Sequence, residues 1–413
     1  VLAKITKRIG LSLGADICWP ICYEELVRRL DLSVPVNGDT VSVEVERISI
    51  EPFSLRQGCR YDVVIDRLTH WFYSSREWIK KAVLMDDLYV FNNPWSIQSM
   101  EKHTSYCAMM RLGLPVPDTW LIPQKSYQST QDLERTLRYA HLFDLDQIGA
   151  QLGYPSFLKP YDGGAWVGVS KIDNAADLHA AYDQSGTRLM HLQKAVLPHD
   201  LFVRCIGLGP QLRPVSYDPD APLHDRYRPE SGFLDADSES LLHDITLTIN
   251  SFFGWDFNSC EALLQEGQWY PIDFANACPD SQVTSLHYHF PWLVLANIRW
   301  SIFCAVAGRR MQRNLDWAPF LEIADSDRSY REKVSAYADI AHERFETDRF
   351  LDFCDAHLGH LNELAWEFFG CDLARDAIRE KVSALYPPQE IEEFTELFWR
   401  RIQRWRREQE QLA

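Results

Sequence analysis

Residues 258–276 leave the chain little conformational choice. Two mostly apolar runs flank Glu266-Gly267, a two-residue turn signal, so the segment reads as a β-hairpin. That fold sets Glu261 and Asp273 nearly opposite each other on adjacent strands. Two carboxylates side by side on apolar strands repel each other and resist desolvation. A divalent cation removes both costs. Magnesium prefers one or two carboxylates plus substrate phosphates, and Asn276 could add a carbonyl oxygen. In the other reading, one acid simply points to solvent on the far face.

Two further segments carry chemistry. In Pro155–Lys171 a strand ends in Lys159, a glycine-bearing loop follows with Gly163, Gly164 and Gly168, and a second strand resumes at Trp166. Glycines let several backbone N–H groups turn toward one anion, and a lysine at a strand end supplies a point charge for phosphate oxygens. The loop leads into a strand and not a helix, so it is neither a Walker A loop nor a dinucleotide fingerprint. An ordinary glycine hairpin with a solvated lysine is the alternative. In Met190–Gly207 a short strand runs into a linker, followed by a strand with Asp200, Phe202 and Arg204 on one face. An acid and an arginine facing one way suit ribose and phosphate contacts; surface residues would look the same.

Around these segments the chain reads as mixed α/β. Strands at Ile9–Leu13, Val41–Ile50, Tyr61–Ile65 and Leu88–Phe91 alternate with helices at Glu24–Leu30 and Arg76–Met85, which implies a mostly parallel sheet over 1–95. One amphipathic helix is expected over 96–116, a strand at Trp120–Ile122 and helix within Leu133–Gly149. Residues 292–308 read as an apolar helix. Beyond 311 the chain is helical and charged, and its last helix, Glu390–Gln411, puts Ile391, Phe394, Phe398, Ile402 and Trp405 on one stripe. The arginine run 400–407 suits a partner surface or, more simply, a solvated face. The expected segments are 1–95, 96–192, 193–310 and 311–413. Trp71, Trp95 and Trp255 are assigned to the core and Trp166 to an exposed loop. His342–Glu346 lacks the second histidine of a zincin and reads as helix surface.

A formal charge of −17 argues against a nucleic-acid partner. No run approaches the ~18 uninterrupted apolar residues of a membrane span, so no membrane partner is expected. The basic, then mildly apolar start, Val1–Ala15, reads as a first strand and not a signal peptide. The ten scattered cysteines form no CxxC and read as reduced thiols of a cytoplasmic protein.

These segments, in this order from about Asp62 to about Pro291, resemble the ATP-grasp superfamily, in the branch of glutathione synthetases, D-alanine–D-alanine ligases and ribosomal-protein glutamate ligases. Asp62–Ile65 with Asp66-Arg67 looks like the end of the domain preceding the grasp. Lys102, before Gly113-Leu-Pro-Val-Pro117-Asp-Thr119, is similar to the family's first nucleotide lysine and the step after it; Lys159 resembles the second. Gly163–Gly168, with Trp166, resembles the lid over the phosphates. Gln193, Lys194 and Val196 resemble the segment whose backbone meets adenine, and Asp200 the ribose-binding acid. Glu261, Asp273 and Asn276 resemble the magnesium ligands.

Three details depart from the family pattern. Asn276 lies three residues after Asp273 where two is usual, so either a local bulge restores it or Ala275 holds the position. The second metal acid is Asp where Glu is usual. Arg204 lies four residues after Asp200, not two.

The resemblance implies an ATP-grasp fold with an N-terminal α/β domain; the helical extension after 311 has no counterpart in it. It implies a ligase that uses ATP and one or two Mg2+ ions, with Mn2+ as a substitute, to join a small-molecule or peptide carboxylate to an amine through an acyl phosphate. Arg204 or Arg213 would stabilise the transferring phosphoryl group. Arg226 and Arg228 would clamp the carboxylate or, alternatively, stay solvated. The loop after the metal strand would meet the acceptor through Ser281, Ser285, His287 or His289. Relatives are often dimers or tetramers, which makes a homo-oligomer an expectation. A non-catalytic ATP-binding scaffold and a phosphotransferase are the competing functions.

Overall fold

The computed structural model describes residues 4–68, 72–96, 101–127, 143–162, 166–276 and 278–412. The chain divides into two compact units, one of Val1–Ile97, Val203–Ser259 and Asn276–Ala413, the other of Gln98–Phe202 and Cys260–Ala275. The helices beyond 311 pack on earlier helices of the first unit and form no body of their own.

The first unit holds a five-stranded sheet in the order β2-β3-β1-β4-β5, with β1 Lys4–Ser12, β2 Ser33–Val36, β3 Asp39–Arg47, β4 Val63–Asp66 and β5 Tyr89–Val90. β1 runs parallel to β3 and β4, and β4 parallel to β5, which is the mostly parallel sheet the strand–helix alternation predicts. Only β2 is antiparallel, joined to β3 by Asn37-Gly38, both with positive φ (51° and 89°), as a two-residue hairpin turn requires. Helices α1 (Cys18–Leu30) and α2 (Tyr73–Asp86) lie in the connections. A long apolar helix, Phe290–Ala307, packs on β1, β3, β4 and α1. With its preceding turn, residues 283–307, it is long and apolar enough by length and composition to cross a membrane, but 83% of its most apolar window is buried in the protein. It is the central core helix of this unit.

Helix Tyr330–Phe345 packs on Ala236–Phe253, helix Asp372–Ser383 packs on α1, and the last helix, Ile391–Leu412, packs on Asp372–Ser383 and on the His287–His289 turn. Phe398, Ile402 and Trp405 of the expected stripe are buried, and Ile391 and Phe394 are half-buried. The arginine run is largely consumed by local partners: Arg400 by Glu396, Arg401 by Asp225, Arg404 by Glu408, and Arg406 by the Trp366 carbonyl and ring.

The second unit holds an antiparallel sheet in the order β6-β9-β7-β8, with β6 Thr119–Ile122, β7 Ser156–Pro160, β8 Ser170–Ile172 and β9 Met190–Lys194. Helices Leu145–Leu152 and Ala175–Ser185 bury Leu145, Leu152, Leu178 and Tyr182 against Ile122, Leu158, Ile172, Met190 and Leu192 of the sheet. Helix α3, Lys102–Arg111, is the described part of the helix expected over 96–116, and stops before Gly113 at φ 82°.

A further sheet has the order β11-β10-β12-β13, with β10 Leu201–Leu208, β11 Gln211–Ser216, β12 Phe257–Gln265 and β13 Gln268–Asp273. The turn of the β12/β13 hairpin is Glu266-Gly267, as the sequence predicts, with φ 50° and 77°. No disulfide forms among the described residues. Trp255 is fully buried, but Trp95 is 38% exposed, a correction to its assignment to the core; Trp71 lies outside the described residues.

Candidate nucleotide and metal site

The β12/β13 hairpin pairs Glu261 directly with Asp273, so both carboxylates project from the same face. A β-bulge lies beside them: Ala262 pairs with Pro271, and Ile272 is the extra residue of β13. A bulge takes a residue out of the ladder and re-aims its backbone. Here the Ile272 carbonyl accepts hydrogen bonds from the Tyr106 hydroxyl (2.7 Å) and from Lys159 Nζ (3.2 Å). The bulge therefore precedes Asp273 and does not lie between Asp273 and Asn276.

Lys102 opens α3, and its ammonium forms an ion pair with Asp273 Oδ2 at 2.8 Å. Lys159 comes from β7. It is 9% exposed, and its Nζ donates to Tyr106 Oη and to Gln193 Oε1, each at 2.7 Å. Burial pushes its pKa down to about 7, against the pull of Asp273 and with the repulsion of Lys102. Burial also holds the Tyr106 phenol well above its ordinary range, so it stays protonated and donates to Ile272. Tyr106 was not singled out in the sequence; its signal is its place four residues after Lys102, on the same face of α3.

Gln193 is the direct cross-strand partner of Thr119. Its Nε2 donates to the Thr119 hydroxyl (2.8 Å), which donates to the Pro117 carbonyl (2.8 Å). The Pro117-Asp-Thr119 step thus fixes the rotamer of Gln193, and Gln193 in turn aims Lys159. His191, opposite Lys159 in the register, is fully buried, and burial together with the Lys159 charge pushes its pKa down to about 3.

The other expected nucleotide contacts are placed as follows. Val196 is buried, and the Lys194 side chain is exposed. Asp200 is exposed just ahead of β10, its backbone N–H bonded to the Leu264 carbonyl at 2.7 Å. Trp166 is 46% exposed at φ 63°, and Gly163 and Gly164 lie outside the described residues. Asn276 belongs to the first unit, where its Nδ2 donates to the Ser259 carbonyl at 3.3 Å. No group of three or more His, Cys, Asp or Glu side chains suited to a metal occurs among the described residues. The pair Glu261 and Asp273 is an oxygen-only donor set that fits a hard cation taking most of its ligands from water and phosphate.

The residues expected to serve the carboxylate and acceptor lie in the first unit. Arg204 is held by the rings of Tyr217 (5.0 Å) and Tyr227 (5.4 Å) and donates to the Tyr227 hydroxyl. Arg213 Nε donates to His289 Nδ1 at 3.4 Å, while His289 Nε2 donates to the Arg228 carbonyl at 2.9 Å. This fixes one tautomer, and burial pushes the His289 pKa down to about 3. Arg228 pairs with Asp218, and Arg226 donates to the Ala221 carbonyl at 3.1 Å. His287 is buried and stacks toward Phe398 of the last helix. Ser285 donates to Asp280 Oδ2 (2.6 Å), and Ser281 to the Pro279 carbonyl (3.2 Å).

No family model matches the chain. Among curated proteins it is 31% identical over 100 residues to a D-alanine–D-alanine ligase of Heliobacterium modesticaldum, covering 24% of this chain and 27% of that one. It is 42% identical over 69 residues to D-alanine–D-alanine ligase A of Chromobacterium violaceum, covering 16% and 18%. These matches span about a quarter or less of the curated relatives' length. Among solved structures, D-alanyl-alanine synthetase A of Vibrio cholerae aligns over 73% of this chain and 98% of that one, at 15% identity and a TM-score of 0.48. Over the matched segments the chain is thus similar to D-alanine–D-alanine ligases.

Proposed function

We propose that the protein is an ATP-dependent carboxylate–amine ligase. One observation carries the reading: two lysines from separate elements, Lys102 and Lys159, meet the acid-bearing hairpin within one unit, Lys102 on Asp273 and Lys159 on the neighbouring Ile272 carbonyl. Such a cluster of two cations and two acids suits a polyphosphate with its counter-ion. In the reaction, the carboxylate oxygen attacks the γ-phosphorus and the bond to the β-phosphate oxygen breaks, giving ADP and an acyl phosphate. An amine then attacks the acyl carbon, phosphate leaves, and the amine gives up a proton.

Catalysis of this kind rests on positioning and charge neutralisation. Lys102 and Lys159 hold α- and β-phosphate oxygens, and Gln193 and Tyr106 keep Lys159 aimed. Glu261 and Asp273 would hold magnesium, which would supply neutralisation of phosphate charge. Arg204 and Arg213 are the cations assigned to the phosphoryl group, with Ser281, Ser285 and His289 on the acceptor side. A cytoplasmic location belongs to the same reading.

Incubation with ATP, Mg2+ and mixtures of carboxylates and amines tests it. The expected result is ADP release that requires both a carboxylate and an amine. ATP binding without turnover in any mixture favours a scaffold, and a phosphorylated product without an amide favours a phosphotransferase; either overturns the ligase reading.

A further inference from the structure

The first unit contains a cavity of about 830 Å³ lined by the end of β1 and its following loop (Gly14, Ala15, Asp16), by Ile48 and Ile50, by Arg67 and Leu68 after β4, and by Cys278, Pro279, Asp280 and Gln282. The second unit's lysines and paired acids take no part in it. A volume of this size accommodates a ligand well beyond a single small amino acid.

The cavity contains one unusual charge. The Arg67 side chain is only 5% exposed and lies across the ring of Phe257 at 5.6 Å. Its nearest acid is Asp16, and both contacts, Nε to Oδ2 and Nη2 to Oδ1, are long at 3.4 Å. Its Nη1 has no hydrogen-bond partner among the described residues. A buried guanidinium donor left unmet costs about 1–3 kcal/mol, and Arg67 tolerates a loose fork to Asp16 besides. A planar carboxylate from a ligand satisfies Nη1 and matches the guanidinium fork. Asp280 is engaged differently: Oδ1 accepts from the Gln282 N–H at 2.9 Å and Oδ2 from the Ser285 hydroxyl at 2.6 Å, so it is fixed as a wall of the cavity. The remaining wall is mostly apolar, from Ile48, Ile50, Leu68, Phe72 and Pro279, with Ser74, Ser75 and Gln282 adding polar groups.

We infer that this cavity binds an apolar-bodied carboxylate of about dipeptide size, its carboxylate on Arg67 and its side chains against Ile48, Ile50 and Leu68. That this ligand is a substrate of ligation rests on the function proposed above; the binding itself does not.

The test is calorimetric titration of the whole chain, without ATP, using the dipeptide Leu-Phe, its C-terminal amide, and free alanine. Leu-Phe should bind at least about tenfold more tightly than its amide, and alanine more weakly still. Arg67→Lys, which keeps the charge but loses the planar fork, should weaken the preference for the carboxylate. Ile50→Trp, at a half-buried loop position, should fill the cavity and weaken Leu-Phe at least about tenfold while leaving ATP affinity unchanged. It decides the matter if Arg67→Lys fails to fold. Equal affinity for Leu-Phe and its amide, or no binding of Leu-Phe, overturns the inference. Carboxylate-selective binding without any amine-dependent ADP release keeps the cavity assignment and removes the ligase reading; amine-dependent ADP release with no Leu-Phe binding does the reverse.

Discussion

Replacing Lys159 by methionine keeps most of the side-chain volume and deletes the ammonium. The magnitude follows from what surrounds that nitrogen. It is buried, fixed by Tyr106, Gln193 and the Ile272 carbonyl at 2.7, 2.7 and 3.2 Å, and has a pKa of about 7. A lysine–phosphate pair at about 4 Å in an effective dielectric near 20 is worth about 4 kcal/mol before desolvation, and about 1.5–3 kcal/mol net as a charged hydrogen bond. The Kd for ATP should therefore rise about 10- to 150-fold.

The lowered pKa adds a sharper signature. At pH 7 about half of the Lys159 side chains are neutral, and a polyphosphate favours the charged form. Binding should then take up about half a proton at pH 7, nearly a whole one at pH 8 and almost none at pH 6. Titration calorimetry in two buffers of different ionisation enthalpy measures this directly, with thermal unfolding as the check on the fold. An unchanged Kd in Lys159→Met, or proton uptake that is the same in both proteins, refutes the reasoning.

Asp273→Asn should reduce turnover at least about a hundredfold while changing nucleotide affinity less, because the cation acts most on the transferring group; equal activity in the two proteins removes Asp273 from the site. His191 and His289, buried and neutral, have folded pKa values of about 3 against about 6.5 when unfolded. The unfolded chain alone takes up protons between these values, so their contribution is full above pH 6.5. It falls by up to about 1.4 kcal/mol per pH unit per imidazole as the pH drops toward 3. Urea unfolding at pH 7, 6 and 5 should show this slope, reduced in His289→Gln; identical slopes contradict it. Phe398→Ala should cost about 3–5 kcal/mol, since the ring is fully buried among Phe394, Tyr386 and His287; a loss under about 1 kcal/mol in denaturant unfolding would place the last helix outside the folded core.

Local patterns were readable where one segment decides its own structure. The hairpin follows from the Glu266-Gly267 turn signal between two apolar runs, β3 from period-two alternation, and β1 and β4 from short apolar runs. β2 was missed because Pro35 argues against a strand; it is tolerated there because β2 is the edge of its sheet. The bulge at Ile272 was not readable, since no glycine or charge marks it, yet it supplies the carbonyl that anchors Lys159 and Tyr106. The tyrosine cage of Arg204 combines residues 13 and 23 positions away along the chain (Tyr217 and Tyr227), a pairing that only the β10/β11 hairpin and the following loop create. Arg67 was visible as a residue at a strand end, but its unmet donor depends on the depth of burial. An apolar stripe predicts that a helix packs, not which surface it packs on.

A crystal structure with Mg2+ and a non-hydrolysable ATP analogue tests the central claim most directly. Phosphate oxygens should lie within hydrogen-bond reach of Lys102 and Lys159, and metal density should sit on Glu261 and Asp273. A nucleotide bound elsewhere, with Lys102 still paired to Asp273 and no metal on the two acids, contradicts it.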